Sequence, residues 1–332
     1  MRALVLEGVG QSLSLREVPT PVAGDGEAVV RVVAAAINHR DLWIQKGQYA
    51  GLKFPIVLGS DAVGVVHACG PGVDASWKGR SVVLDPSLRW GDDPRAQGRQ
   101  FGILGLPDDG TFAEYVRVPA SQLHPRPDHL TDAEAAAIPL AGVTAYRAVV
   151  TQGEVRAGQH VLVTGIGGGV AVLALQIARA KGAEVHVTSS QDGKLERAGE
   201  HGASFGANYT KESWVKELKG RASEGYDLIV DSAGGDGLAS LLDLARPGGR
   251  VVVYGATQGN PKGLYLRRLV WKQLQLQGTT MGTTADFSAM LKLYADAKLR
   301  PVVDRTFALA DANDAFAHVA ASAQFGKVVL VP

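Results

Sequence analysis

VLVTGIGGGVAVLALQIARAKGA, residues 161–183, opens as a β-branched apolar run, turns on glycines, and continues with apolar residues at helical spacing. A glycine turn between a buried strand and a helix lets the backbone approach a pyrophosphate. The free N–H groups of the helix start then stabilise its charge. The pattern is Gly165, Gly168, Ala171, with Gly169 and Val170 at the helix start. It is a variant of G-x-G-x-x-G with one residue more and alanine in the third place. The turn lies halfway along a chain of 332 residues, so a second body of sequence must precede it.

Downstream of the turn, strand-like and helical stretches alternate. HVLVT, EVHVTS, FGANY, YDLIVDS, RVVVYGA and LQLQGT are separated by helices through KLERAGEH, ESWVKELKG and LASLLDLA. Such alternation implies βαβ units and a parallel sheet covered on both faces. Upstream, short β-rich segments such as EAVVRVVAAAIN, DAVGVVHACG and FAEYVRVP are punctuated by Gly, Pro and Asp. This reads as a compact, barrel-like β domain. Thr131 and Glu134 form a capping-box signature at the start of an alanine-rich helix, which puts a boundary near residue 125. The expected organisation is a β-rich domain over 1–125, a dinucleotide domain over 126–270 and a return to the first domain over 271–332.

Composition narrows the function. Basic and acidic side chains number 34 and 33, for a net charge of +1, so neither nucleic acid nor an acidic membrane surface is an expected partner. Cys69 is the single cysteine, which excludes an internal disulfide framework and a cysteine-based structural zinc site and fits a reducing cytoplasm. The N-terminus lacks the apolar core of a signal peptide, and no apolar run approaches the roughly 20 residues of a spanning helix. A cytoplasmic protein is the expectation.

The end of the second strand of the α/β half decides which dinucleotide fits. An NAD-selective fold places a carboxylate there for the ribose hydroxyls. Here Ser189 and Ser190 stand in its place, with Lys194 a turn later, and hydroxyls with a lysine suit a 2′-phosphate. NADPH is therefore the expected cofactor, although Asp192 in the same turn weighs against it.

With a β domain in front, a dinucleotide domain behind and a return at the end, the chain resembles the medium-chain dehydrogenase/reductase superfamily over its whole length. It is most similar to the zinc-free, quinone oxidoreductase-like branch. INHRDLWIQKGQY (37–49), FPIVLGSDAVGVV (54–66), DDGTFAEYVRVP (108–119), AAAIPLAGVTAYRAV (135–149) and FGKVVLV carry the resemblance. It implies an α/β fold made of a GroES-like β-rich catalytic domain and a Rossmann doubly wound parallel-sheet domain. In zinc-dependent members the metal ligands fall at the positions of Asn38, Ser60 and about Leu140, and none of these could hold zinc in a normal ligand set. The cysteine-rich loop of the structural zinc is replaced by LRWGDDPRAQGRQFGILG.

By the resemblance, Asn38 and Tyr49 bind the substrate carbonyl, with Tyr49 a possible proton donor, and Thr144 lies beside the nicotinamide. Tyr209 matches a tyrosine near the adenosine phosphate. Ser232, Ala233, Gly255, Ala256 and Thr257 run along the cofactor, and Gly278 and Thr279 face the nicotinamide. Asp41 and Asp61 are expected as ion-pair partners, His39 as a solvated residue at a helix start, and His67 with Cys69 as core. Substrate is expected in a cleft whose shape depends on the 85–105 loop and on Trp43 and Trp271. Relatives pair through the edge of the dinucleotide sheet, so a homodimer through RVVVYGA and LQLQGTTM is expected.

Without a metal, ordinary alcohol oxidation is disfavoured, whereas a quinone or α,β-unsaturated carbonyl spreads the incoming charge. The expected activity is NADPH-dependent hydride transfer to such acceptors. The alternatives are an alcohol dehydrogenase with atypical zinc ligands and a low-turnover NADPH-binding sensor or structural protein.

Overall fold

The computed structural model describes residues 1–332. The chain forms two compact units, Met1–Ala141 with Thr283–Pro332, and Gly142–Gly282. No helix is long and apolar enough to cross a membrane.

The first unit is built on a seven-stranded sheet. Its path runs Leu123–Pro125, Ser81–Leu84, Asp61–Cys69, Glu27–Ala36, Lys327–Val331, Val303–Ala308, with Tyr115–Pro119 also paired to Glu27–Ala36. A smaller sheet joins Ser14–Glu17, Arg2–Leu6 and Ile56–Val57. The pairing is antiparallel except between the last two strands of the chain, which run parallel. The centre of the sheet is tight, because a Cβ on Gly64 would overlap the Arg31 carbonyl of the neighbouring strand. Helix Ala312–Ala320, from the C-terminal return, adds Phe316 and Val319 to the same core as Leu4, Val30, Leu58 and Phe112.

The expected capping box is present: the Thr131 N–H donates to Glu134 Oε2 at 2.8 Å, and the Glu134 N–H to Thr131 Oγ1 at 3.3 Å. Its helix, Asp132–Ala136, packs on strands Glu27–Ala36 and Asp61–Cys69, and Arg300 bonds Glu134 at 3.0 Å. The first unit therefore extends to Ala141 instead of ending near 125, and the return begins at Thr283 instead of 271. The segment just before the return stays in the second unit because Gln275–Gly278 pairs with Ala245–Val253.

The second unit is a six-stranded parallel sheet. Its order is Phe205–Asn208, Glu184–Ser189, His160–Val163, Tyr226–Asp231, Ala245–Val253, Gln275–Gly278. In chain order this is the 3-2-1-4-5-6 arrangement of a doubly wound fold, whose ligand crevice lies at the carboxyl ends of the strands. Val161, Leu162, Val185, Val187, Ile229 and Val251 are fully buried, as strands covered on both faces require. RVVVYGA lies inside the sheet, so only Gln275–Gly278 offers an edge on that side. Trp271, expected to shape a substrate cleft, is 89% exposed just before this edge strand.

Asp85, in the first unit, is buried, and its Oδ1 accepts from the Ser87 N–H at 2.9 Å. Burial, with a smaller push from the Asp286 charge, raises its pKa to about 7. The folded chain thus keeps a proton that the unfolded chain releases near pH ~4. Stability is expected to fall as pH rises from there to about 7 and to level off above. Asp85→Asn should leave the thermal midpoint almost unchanged at acid pH and raise it in mildly alkaline buffer, by roughly 2–4 °C per kcal/mol gained. Equal shifts at both pH values would reject this.

Candidate active site

In the second unit the strand ends and their turns gather the expected cofactor residues. Gly165 (φ 65°) and Gly167 (φ 118°) hold left-handed backbone, so these two make the turn. Gly168 is instead the N-cap of helix Gly169–Ala180, at φ −70°. Gly167 was missed because the motif was matched through Gly168; three successive glycines leave the register open in sequence. No side chain caps this helix, which leaves its first N–H groups without a side-chain acceptor. A Cβ on Gly167 would lie 2.7 Å from Lys194 Cδ, which places the lysine stem against the turn.

Around this turn the loops are tied together. Thr164 Oγ1 donates to Asp231 Oδ1 at 2.6 Å, and the Gly234 N–H donates to Asp231 Oδ2 at 2.8 Å. Gly255 is required where it stands, since a Cβ would come within 2.8 Å of the Ser232 carbonyl oxygen. Thr257 approaches that same oxygen with its N–H (3.3 Å) and Oγ1 (3.4 Å), while Ala233 O accepts from Gln258 N at 2.8 Å. Ala256 is exposed. The Thr279 N–H donates to Val253 O at 2.9 Å, but its Oγ1 is buried without a hydrogen-bond partner. Gly278 ends the edge strand opposite Val253. Thr144 is buried, with Oγ1 3.9 Å from Met281 Sδ.

At the second strand end, Ser189 Oγ accepts from the Gln191 N–H at 3.2 Å, and Ser190 is exposed. Tyr209, 46% exposed, is brought beside Ser189 by its N–H bond to the Ser189 carbonyl at 3.0 Å. Asp192 is turned to other partners. Its carboxylate accepts from Asn208 Nδ2 at 2.9 Å and from Lys211 at 3.3 Å. The glycine cradle, the uncapped helix start and the orphaned Thr279 hydroxyl together fit a dinucleotide.

The first unit holds a second constellation. Lys327 Nζ is buried and donates to Ile37 O (2.8 Å), Asn38 Oδ1 (2.5 Å) and Asp61 Oδ2 (3.0 Å). Asn38 Nδ2 donates to Asp61 Oδ2 at 2.9 Å, and the Leu140 N–H donates to Asp61 Oδ1 at 2.8 Å. Asp61 is thus an ion-pair partner, as expected. Asp41 is not: it accepts from the Asn38 N–H at 2.8 Å as a helix-start cap, and its Oδ1 has no hydrogen-bond partner. Burial raises its pKa to about 6 against the opposing pull of Arg40.

Arg40, also buried, donates through Nη1 to Ser60 Oγ (2.8 Å) and Leu104 O (3.0 Å), and its Nε and Nη2 have no hydrogen-bond partner. Its guanidinium lies 5.1 Å from the ring centroid of half-buried Tyr49. Asn38 and Tyr49 therefore do gather here, although the Asn38 amide is already engaged on both sides. His39 is exposed at the start of helix His39–Gln45, 6.2 Å from Trp43 ring to ring. His67 departs from its core reading: it is exposed and meets Tyr115 edge-on with ring centroids 5.2 Å apart, while Cys69 is half-buried.

Lys327 and Arg40 escaped the sequence reading. The available signal for the first was a lone lysine in the apolar run FGKVVLV, and for the second an arginine between two residues of a helix start. Asn38 and Ser60, and Leu140 nearby, stand where the resemblance leads one to expect zinc ligands, and the side-chain oxygens of the first two accept from Lys327 and Arg40. An amide and a hydroxyl already facing cations are not a zinc ligand set.

The doubly wound sheet with its glycine turn, joined in sequence to a β-rich unit, defines an oxidoreductase that uses a nicotinamide dinucleotide. Residues 24–128 match the Alcohol dehydrogenase GroES-like domain family and residues 169–296 the Zinc-binding dehydrogenase family. The chain belongs to the medium-chain dehydrogenase/reductase superfamily. It is 36% identical to the zinc-type alcohol dehydrogenase-like protein YogA of Leptosphaeria maculans, over 96% of this chain and 94% of that protein. It is 30% identical to acryloyl-coenzyme A reductase of Sulfurisphaera tokodaii over the full length of both. A solved NAD-dependent alcohol dehydrogenase superposes with a TM-score of 0.94 at 37% identity, covering 100% of each chain.

The buried pair gives a stability test. Lys327→Met leaves Asp61 without its ammonium and is expected to cost about 3–5 kcal/mol in urea denaturation. The double variant Lys327→Met/Asp61→Asn should recover much of that loss. A single variant as stable as the parent would show that the pair contributes nothing.

Proposed function

We propose that the chain is an NADPH-dependent reductase of conjugated carbonyl compounds, enones or quinones, working without a catalytic metal. The observation that carries this reading is that Asn38 and Ser60, at positions where the resemblance puts metal ligands, are hydrogen-bonded to the cations Lys327 and Arg40. A simple alcohol must lose its proton before hydride can leave, and a Lewis acid makes that possible near neutral pH. A conjugated acceptor needs no such step, because the charge it gains moves to oxygen, where donors stabilise it. Identity to a protein named for reducing acryloyl-coenzyme A, itself a conjugated carbonyl compound, supports this class.

When bound, the reduced nicotinamide supplies the hydride. Gly165, Gly167 and Gly168, with the helix start at Gly169 and Val170, hold the pyrophosphate. Ser189, Ser190, Lys194 and Tyr209 receive the 2′-phosphate; with Asp192 bonded to Asn208 and Lys211, its carboxylate is partly neutralised. Ser232, Gly255, Ala256 and Thr257 line the cofactor, while Thr144, Gly278 and Thr279 orient the nicotinamide end. Arg40 supplies fixed positive charge to the acceptor oxygen, and the Tyr49 hydroxyl donates to it. Asn38 anchors Lys327 and Asp61 and leaves the donor role to its neighbours.

The test is consumption of NADPH and NADH over a panel of quinones, enones and simple aldehydes. Turnover is expected with NADPH and conjugated acceptors, unaffected by chelator. Arg40→Gln should lower kcat without weakening NADPH binding. Ser189→Asp should move preference toward NADH by at least about tenfold, the equivalent of ~1.4 kcal/mol. Tight NADPH binding with no turnover would favour a sensor, and stoichiometric zinc lost together with activity would favour an atypical alcohol dehydrogenase.

Two copies pair, on this reading, through the edge strand Gln275–Gly278. All four of its residues are exposed, beside exposed Leu266 (60%), Val270 (71%) and Trp271 (89%). An open edge beside exposed apolar residues invites strand pairing. Light scattering should give a dimer mass that Trp271→Glu reduces to monomer; a monomeric parent protein would overturn the pairing.

A further inference from the structure

Strands His160–Val163 and Glu184–Ser189 run parallel, with His160 opposite Glu184 and Leu162 opposite His186. Side chains alternate along a strand, so His160, Glu184 and His186 project from one face. Their ligating atoms lie within 4.8 Å of one another. His186 Nε2 is 3.1 Å from Glu184 Oε1, and His160 Nδ1 is 3.7 Å from Glu184 Oε2. Two ligands of a tetrahedral ion with bonds near 2.0–2.1 Å sit about 3.3 Å apart, which is close to both separations.

The cluster is held from behind. His186 Nδ1 is 2.7 Å from the hydroxyl of fully buried Tyr226, whose oxygen is 3.5 Å from Leu218 O. A ligating histidine characteristically has its second nitrogen fixed in this way, which orients the ring. An ordinary hydrogen-bonded arrangement, with Tyr226 donating to Nδ1 and Nε2–H donating to Glu184, satisfies His186. It leaves His160 Nδ1 buried with no hydrogen-bond partner. A cation would satisfy all three acceptors together, and water would complete its shell.

We propose that His160, Glu184 and His186 form a binding site for a divalent transition-metal ion, of the class Zn²⁺, Co²⁺ or Ni²⁺. Two imidazoles and one carboxylate select these ions over Mg²⁺ and Ca²⁺, which take oxygen ligands. The Glu184 and His160 side chains are 46% and 35% exposed, so an ion enters from solvent and small rotations close the wider gap. The site lies at the amino ends of its strands, at the opposite end of the sheet from the glycine turn. Its effect is to staple two neighbouring strands, apart from hydride transfer, and it stands whether or not the proposed reduction does.

The experiment uses the full-length, tag-free protein, stripped with chelator and titrated calorimetrically with Zn²⁺ and with Mg²⁺ at neutral pH. One Zn²⁺ per chain is expected, with a Kd of about 1 μM or tighter. Mg²⁺ should not bind, and the thermal midpoint should rise with Zn²⁺ concentration. Glu184→Gln and His160→Asn, both at partly exposed positions, should each weaken Zn²⁺ binding at least about tenfold, or ~1.4 kcal/mol, while keeping the metal-free midpoint. His201→Asn, a histidine outside the cluster, should bind like the parent. Absence of Zn²⁺ binding, or unchanged affinity in Glu184→Gln and His160→Asn, would overturn the proposal.

Discussion

The Lys327 ammonium lies buried against the Asp61 carboxylate and the Asn38 amide. A charge taken this far from water costs several kcal/mol unless it is paired and hydrogen-bonded, and all three protons of this one find oxygen. Four distant stretches meet at this point: a helix start at Asn38, a strand start at Asp61, the chain at Leu140 and the final strand at Lys327. The last strand of the chain accordingly sits beside the central strand Glu27–Ala36 and fixes the far end of the sequence to its beginning.

This dependence also separates what the sequence discloses from what it conceals. The parallel sheet was legible because each strand is short, apolar and followed by a helix, a pattern set by local burial on two faces. The Thr131 cap was legible because its partner stands three residues away. Lys327 was not, because its partners are 266 and 289 residues distant and a lysine within an apolar run reads as an interruption. The unit boundary was misplaced for a similar reason: helix Asp132–Ala136 looks like the start of something new in sequence, yet its packing partners are strands of the first unit. The strand carrying RVVVYGA looked like an edge until its neighbour on the far side was known.

Chemistry follows from the same constraint. With the Asn38 oxygen and the Asp61 carboxylate both turned toward Lys327, neither is available to ligate a metal, and the Asn38 amide has little left to offer a substrate. Positive charge in this part of the unit comes from side chains. A lysine or arginine cannot lower the pKa of a bound alcohol as a Lewis acid does, but it can stabilise charge that reaches an oxygen through conjugation. The proposed preference for conjugated acceptors is therefore the chemical counterpart of a packing arrangement.

The two cations differ in one respect, and the helix start explains it. Lys327 is cancelled by Asp61, whereas Arg40 has a carboxylate next to it in sequence that does not bond to it. Asp41 is held by the Asn38 N–H at 2.8 Å as the cap of helix His39–Gln45, and its carboxylate feels the Arg40 charge without hydrogen-bonding to the guanidinium. The result is a buried arginine whose Nη1 is pinned by Ser60 and Leu104 and whose Nε and Nη2 are unmet, beside an Asp41 oxygen that is unmet as well. Each such atom costs about 1–3 kcal/mol, so the arrangement is expensive as structure. In the proposed reaction the arrangement has a use: no hydrogen bond joins Asp41 to Arg40, so the buried arginine keeps part of its charge, and that charge acts on a substrate oxygen through its field.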